Sequence, residues 1–591
     1  MKSTDDFSGR GGLPCLRNAR PFRRDFRPAI CTFGAVAVMS LQAIAHIEVY
    51  PGPQGIDASD DYIVEVISGE TAHPSFTYKN TSDDPADEHI EAEVMAGIEA
   101  NPALKSHYLG APMPASSEYE GIGLGLPGGP KVDLHSIRPT RRRSVSFTTI
   151  SFDGTVTVRV RSLKGSVQSA QILPSSREIE AKADGDTLAF SLSEPAKLAV
   201  VINGDFLNPL FVFADAPEMD VPVAGAPGVL SLKAGADPRA DLEAVSAARI
   251  IRFEPGVHDI GIGFPVSAGQ TLYLAGGAYL HGTFHGYMVS GVSFRGRGIL
   301  SGERIERGFI QRLKQTPGTM WERMQYHSIN MLSEQNKTRW NAYAPRAGLG
   351  CDDLLVEGIT LLDPGHFYLR LTGNPITIRN VKMVGGWHYN SDGVSTIGQA
   401  NTTVFDCFFH CNDDAIYVRP DDVHIHHCVF WQGNNGAVFQ FSWGGDPYDQ
   451  GGGYIHDIDI IHCDQVREAN NRAIIGSRKA GPGDIRDIRF KDIRIEGPVW
   501  RFLRLNTYAE DPDRGYPGSI DGITFENISI TGPVINKSEI MANCGAPEGV
   551  GPLPGGVRNI LFRNVTINGT PLTAGELLIG DTNVANIRFE P

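Results

Sequence analysis

Between Gly386 and Gly445 the chain reads GWHYNSDGVSTIGQANTTVFDCFFHCNDDAIYVRPDDVHIHHCVFWQGNNGAVFQFSWGG. Two tetrapeptides inside it, Val404-Phe405-Asp406-Cys407 and Ile425-His426-His427-Cys428, share one pattern, and that pattern recurs on both sides. Upstream it is Val356-Glu357-Gly358-Ile359 and Ile378-Arg379-Asn380-Val381. Downstream it is Ile460-Ile461-His462-Cys463, Phe490-Lys491-Asp492-Ile493, Phe525-Glu526-Asn527-Ile528 and Phe562-Arg563-Asn564-Val565. Counted on the last position of each unit, the steps are 22, 26, 21, 35, 30, 35 and 37 residues. A unit of this size cannot bury its own apolar face, and little helical periodicity lies between units. Stacking one coil of strands on the next satisfies both facts, which predicts a parallel β-helix.

Working outward, 591 residues exceed one ordinary domain, and a composition of 41% hydrophobic and 20% charged residues fits a large packed core. From His46 to about residue 220 short alternating segments, among them Tyr62 to Ile67, Thr155 to Val160 and Leu198 to Ile202, are separated by turn residues. Period-two alternation of this kind predicts an antiparallel β-sandwich ahead of the β-helix, which would run from 221 to 591. Residues 1–45 differ again: seven basic and three acidic residues precede or border an apolar run from Ala29 to Ala45 that ends in Ala43-Ile44-Ala45. This reads as a secretion signal, with Arg23-Arg24 as a twin-arginine element, and the apolar run is shorter than the ~20 residues that span a membrane. Without that segment the formal charge moves from −15 to −19. A secreted acidic protein repels nucleic acid and anionic membranes, so a neutral polysaccharide or oligosaccharide is the expected partner, with neither nucleic acid nor membrane.

The cysteines and histidines of the quoted stretch read as structure. Cys407, Cys428 and Cys463 fill a repeat position held elsewhere by Ile or Val, which makes them stacked core residues, with a Cys407–Cys428 bridge left open. No CxxC pair exists, so no zinc site, and no metal or cofactor of any kind, is expected. His424, His426 and His427 should split across the two faces of one strand.

A second column carries chemistry. Aligning the turn that follows each unit gives His366, Asp392, Asp414, Asn435 and Asn471, about 4.8 Å apart on stacked coils, with Asp413 beside Asp414. Asn at such positions is explained by turn geometry. Three clustered acids are not, because neighbouring carboxylates repel and one must share or hold a proton. One raised carboxyl beside an ionised one is the requirement of glycoside hydrolysis.

Asn390-Ser391-Asp392-Gly393 followed by Asn412-Asp413-Asp414-Ala415-Ile416, with the first Asp of the pair 21 residues after Asp392, resembles the clan of polygalacturonases (glycoside hydrolase family 28) and of dextranases and isopullulanases (family 49). Phe253 to Asp259, Gly276-Gly277-Ala278 and Gly296 to Gly302 look like the β-helix entry of the dextranase side. The resemblance implies a right-handed β-helix and an inverting hydrolase, with Asp413 as general acid and Asp392 and Asp414 holding the nucleophilic water. Inversion requires about 6.5–9.5 Å between acid and base.

Polygalacturonases carry a GHG element where this chain has Asn434-Asn435-Gly436, and an RIK element where it has Asn471-Arg472-Ala473-Ile474-Ile475. Without that cationic grip on a uronate, a neutral α-glucan such as dextran is favoured, while Arg478-Lys479 keeps pectin as the alternative. Candidate sugar contacts are Asn390, His366, Trp387, Tyr417, Arg419, Asn435, Gln440, Trp443, Arg478 and Lys479, with Tyr389, Tyr448 and Arg504 on the same coils. Two other readings stay open: a calcium-dependent lyase on the same fold, and a non-catalytic carbohydrate-binding β-helix.

Overall fold

The computed structural model describes residues 45–81, 143–306, 320–333, 350–388, 390–396, 401–418, 422–433, 436–444, 450–463, 473–509, 516–534, 536–546 and 553–591. The expected leader, residues 1–45, falls outside them apart from Ala45.

Two sheets face each other at the N-terminal end. One orders Thr71–Ser75, Tyr62–Ser68, Val156–Ser162, Thr187–Leu192 and Ala181–Asp184; the other orders His46–Val49, Ser144–Asp153, Leu210–Asp215, Ala196–Ile202 and Ala170–Leu173, with Tyr78–Thr81 on the side of Ser144–Asp153. Alternate residues of Tyr62–Ser68 and Val156–Ser162 are buried and meet Ile150, Leu198, Val200 and Val212 of the opposite sheet, as period-two patterning requires. Among the described residues the sandwich departs from a purely antiparallel one at a single pairing, since Leu210–Asp215 runs parallel to Ser144–Asp153. Ala196–Ile202 and Leu210–Asp215 are buried at every position because their outer face is also covered.

What covers it is the β-helix. From Val229–Leu232 to Val584–Glu590, 31 strands among the described residues are linked in one ladder, and each coil contributes to three sheets. In the first sheet Ile378, Val404 and Ile425 stack in register, and farther along Phe490, Phe525, Phe562 and Phe589 lie ring on ring at 5.3, 5.0 and 5.1 Å. The residue that turns each coil into its second sheet has positive φ: Asn380, Asp406, His427, Asp457, Asp492, Asn527 and Asn564. Asn and Asp tolerate that conformation, and here they also bond to each other up the stack, Asn564 to Asn527 at 2.9 Å and Asn527 to Asp492 at 2.8 Å.

The same register corrects one unit of the repeat. Ile425 pairs with Ile455 and His426 with His456, so the fifth unit is Ile455-His456-Asp457-Ile458, and Ile460 lies two residues farther on, opposite Phe430. The steps around it become 30 and 35 residues. Cys463 therefore leaves the Cys407–Cys428 column and pairs with Gln432. Cys407 and Cys428 are buried core thiols, and they are free.

The second sheet carries the sandwich. Phe147, Val201, Phe211 and Phe213 pack on Ile299, Leu362, Val384, Trp387, Phe408, Val429, Trp431 and Ile461, with Phe211 4.6 Å from Phe408 and 5.4 Å from Trp431 between ring centres. Within this apolar seam Asp215 pairs with Lys382 and Arg297, and Lys197 reaches Asp406 at 2.5 Å. Burial pushes Asp215 up, yet Lys382, Lys197 and Arg297 outweigh it and hold the carboxyl below its ordinary range. Burial pulls Lys382 down to about 8, so both members are charged at neutral pH.

Candidate active site

Asp413 and Asp414 occupy the turn from Phe408–Cys411 in the second sheet to Ile416–Tyr417 in the third, and Asp392 occupies the matching turn one coil earlier, before Val394–Thr396. The coils are tied there by Gly393 N–H to Asp414 C=O at 3.0 Å and Val394 N–H to Ala415 C=O at 2.8 Å. Extending the pairings Leu369↔Val394, Val394↔Ile416 and Ile416↔Phe439 back by two residues puts Asp392 between Phe367 and Asp414, and Asp414 next to Ala437. The column is therefore Phe367, Asp392, Asp414, Ala437. His366 does not belong to it, because the turn preceding its strand differs in length by one residue. Asn435 and Asn471 lie outside the described residues.

The three carboxylates come together, with one oxygen of each within 4.8 Å of the others, and all are buried. Backbone donors fix the pair: Asp413 Oδ2 accepts from Asn390 N–H at 2.8 Å, Asp413 Oδ1 from Asp414 N–H at 2.9 Å, and Asp414 Oδ1 from Ala437 N–H at 2.8 Å. Gln432 Nε2 holds the Asp413 carbonyl at 2.9 Å. Asp392 Oδ2 accepts from the Tyr417 hydroxyl at 2.9 Å, whereas Asp392 Oδ1 is buried and accepts no hydrogen bond among the described residues. Burial raises the Asp392 carboxyl well above its ordinary value, the charges of Asp413 and Asp414 add to the rise, and Tyr417 opposes it. Such a cluster titrates as a unit and holds a proton that no isolated aspartate would keep.

Small residues make room. A Cβ on Gly436 would lie 2.3 Å from Asp414 N, and Gly436 has φ +74°, so both the turn and the close approach demand glycine. A Cβ on Gly393 would lie 2.3 Å from Ala415 O and 3.1 Å from Cys411 Sγ. Burial raises the Cys411 thiol, and the nearby carboxylates raise it further, so it packs beneath the site as a neutral thiol.

Several expected sugar contacts are committed elsewhere. Trp387 is buried in the seam with the sandwich, edge-on to His410 at 4.5 Å, and donates its indole N–H to Asn80 Oδ1 at 2.5 Å. It is a docking residue, because its partner arrives from 307 positions away. His366 is buried with Nδ1 3.2 Å from His327 Nδ1. Gln440 is buried and donates to Ser442 C=O at 2.5 Å. Tyr417 binds Asp392, and Asn390 serves Asp413 through its backbone. Arg419, Tyr389, Tyr448 and the side chain of Trp443 lie outside the described residues.

The cations down the third sheet are engaged. Tyr417, Gln440, Gly476, Arg504 and Glu539 succeed one another in register. Glu539 accepts from Arg504 Nε at 2.7 Å and Asn506 Nδ2 at 2.9 Å, and pairs with Arg501 at 2.9 Å; although burial raises its carboxyl, Arg501 and Arg504 bring it below its ordinary range. Lys479 is fully buried with Nζ on Gly481 C=O at 2.6 Å, and Arg478 lies over the Tyr508 ring at 5.4 Å. Nothing in the sequence marked Glu539 or Gln432, whose roles depend on coils stacked 19 to 35 residues apart.

No protein-family model matches the chain. It is 26% identical over 296 residues to a dextranase of Arthrobacter globiformis, covering 46% of this chain and 43% of that protein. It is 23% identical over 441 residues to an isopullulanase of Aspergillus niger, covering 66% of this chain and 74% of that protein. The chain thus spans less than half the length of the dextranase. Among solved structures, Dex49A from Penicillium minioluteum superposes with a TM-score of 0.62 over 92% of this chain and 94% of that one at 17% identity, a likeness of fold.

Proposed function

We propose that this chain, a homologue of dextranases and isopullulanase in the clan of β-helical polysaccharide hydrolases, is a secreted glycoside hydrolase that cleaves a neutral α-glucan such as dextran. The observation that carries this reading is the meeting of Asp392, Asp413 and Asp414, with one of the three raised by burial and by the other two. In the proposed cycle the proton held by the coupled cluster passes to Asp413 when substrate binds, so that Asp413 protonates the glycosidic oxygen while Asp392 and Asp414, then ionised, orient and deprotonate the attacking water. The unpartnered Asp392 Oδ1 is the acceptor for that water. The backbone N–H groups on Asp413 and Asp414 keep both carboxylates aimed, which is where much of the rate gain of such sites originates.

Inversion rests on the motif pattern and not on spacing. Nearest oxygens within 4.8 Å are closer than the about 6.5–9.5 Å usual for an inverting acid–base pair, so product stereochemistry has to be read directly. For substrate, Glu539 offsets one of the two charges of Arg504 and Arg501 while holding both guanidiniums, and the Lys479 ammonium is engaged by a carbonyl, which leaves these donors less available to a uronate carboxylate and disfavours pectin.

The test is incubation of the purified protein with dextran, pullulan, α-1,3-glucan and polygalacturonate, followed by proton NMR. Appearance of a β-anomer first from an α-glucan is expected. An α-anomer first would replace inversion by retention, and ultraviolet-absorbing unsaturated uronates, lost with EDTA, would replace hydrolysis by a lyase. Among the described residues no helix is long and apolar enough to cross a membrane. Export is tested by N-terminal sequencing of secreted protein, which should begin at His46.

A further inference from the structure

On the outer face of the first sheet lies a group of imidazoles that glucan hydrolysis does not use. Val423 and Ile425 of strand Val423–His426 face the core, so His424 and His426 both point outward on one face, as alternation requires, while His427 lies past the strand's end and is not its opposite-face residue. The next coil adds Tyr454 and His456 in register with them, and His427 stands at the turn. His426 stacks on Phe405 at 5.0 Å and on His456 at 5.2 Å, with rings within 5° of parallel.

His456 Nδ1 lies 2.7 Å from Asp457 Oδ2, which fixes that nitrogen as the N–H donor and leaves Nε2 with its lone pair. That lone pair accepts a hydrogen bond from His424 Nε2–H, 2.8 Å away, a proton that an incoming ion would displace. An imidazole whose far nitrogen is held by a carboxylate is the usual preparation of a metal ligand. We propose that His424 and His456 form a chelating pair for a divalent transition metal, Ni2+ or Cu2+ in preference to Zn2+, which joins two successive coils.

The spacing sets the preference. Two nitrogens 2.8 Å apart, each about 2.0–2.1 Å from one ion, subtend roughly 90° at it, the angle between neighbours in a square-planar or octahedral shell. A tetrahedral ion would hold them at about 3.3–3.4 Å. The other groups facing the pair are His426 and His427, whose Nδ1 atoms are 2.8 Å apart, and Tyr454, which lies under Arg489. Lys491, one coil on, is paired with Asp492 and does not oppose a cation at full charge.

The experiment is titration of the untagged full chain at pH 7.5 with Ni2+, Zn2+ and Cu2+ by calorimetry, together with electron paramagnetic resonance of the Cu2+ form. Saturable uptake is expected, tighter for Ni2+ than for Zn2+, with nitrogen hyperfine structure on Cu2+ and a rise in Tm on loading. His424→Gln and His456→Gln should each abolish that uptake, and Asp457→Asn should weaken it about 10- to 100-fold through loss of the orienting bond. Circular dichroism verifies that the variants fold, and Asp457→Asn, which leaves both ligands in place, serves if either histidine variant does not. Equal uptake by wild type and the histidine variants, or tighter Zn2+ than Ni2+, overturns the proposal.

Discussion

Tyr417→Phe removes one hydroxyl and keeps the ring that packs beside the acids. That hydroxyl donates to Asp392 Oδ2 at 2.9 Å and is the contact that opposes the rise of the Asp392 carboxyl. A hydrogen bond to a charged group is worth about 1.5–3 kcal/mol, so without it the Asp392 carboxyl should rise further. If Asp392 works ionised, as part of the base, the acidic limb of the kcat/KM profile moves up. Activity below the limb then falls by about 10- to 100-fold while the plateau above it is largely kept. If Asp392 instead donates the proton, the alkaline limb moves up and the acidic limb stays. The assay is initial rate of reducing-sugar release from dextran between pH 3 and pH 9, for wild type and variant. An acidic limb unmoved or shifted downward refutes the assignment of Asp392 to the base.

The same geometry gives three further expected outcomes. Asp392→Asn should be inactive yet more stable at neutral pH: the native state holds this proton more tightly than the unfolded chain, so stability is lost as pH rises above the unfolded value of about 3.9. The gain in Tm should therefore vanish on acidification below about pH 4, and a variant less stable than wild type at pH 7 would contradict it. Gly436→Ala, with φ +74° and a Cβ 2.3 Å from Asp414 N, should lower stability by at least about 1–2 kcal/mol in denaturant titration and displace the aspartate pair, with kcat/KM down about 100-fold. Glu539→Gln releases Arg504 and Arg501 from their counter-charge, so polygalacturonate should become a salt-sensitive inhibitor of dextran hydrolysis; unchanged inhibition would remove Glu539 from substrate choice.

What was legible in the sequence is what repeats. The apolar stack and the order of sandwich before β-helix could be read because each coil meets the same neighbours, and Asp392, Asp413 and Asp414 stood out because turn chemistry does not call for three acids. The resemblance to dextranases and isopullulanase, drawn from those residues, is matched by the sequence relatives and by the fold. The slips occur where position in the chain does not fix position in the coil. Ile460 to Cys463 imitates the repeat but lies past the turn at Asp457, and His366 is one residue out of the acid column through unequal turns. Trp387 looked like a sugar platform because Asn80, its partner, is far away in sequence. Strand alternation puts His424 and His426 on one face, but it could not show that the strand ends at His426 and that His427 belongs to the turn.

The seam between sandwich and β-helix also sets a schedule for biosynthesis. Phe147, Phe211 and Phe213 are complete as soon as the sandwich is made, but Phe408 and Trp431, on which they rest, come later. The roughly 220 residues from Phe211 to Trp431 take on the order of 10–45 s to synthesise. During that interval a finished sandwich displays a broad aromatic face and a buried-type Asp215 without Lys382, a surface that invites association with other chains. The N-terminal domain is thus the part of this protein that most depends on residues made after it, and expressed alone it should be the insoluble half.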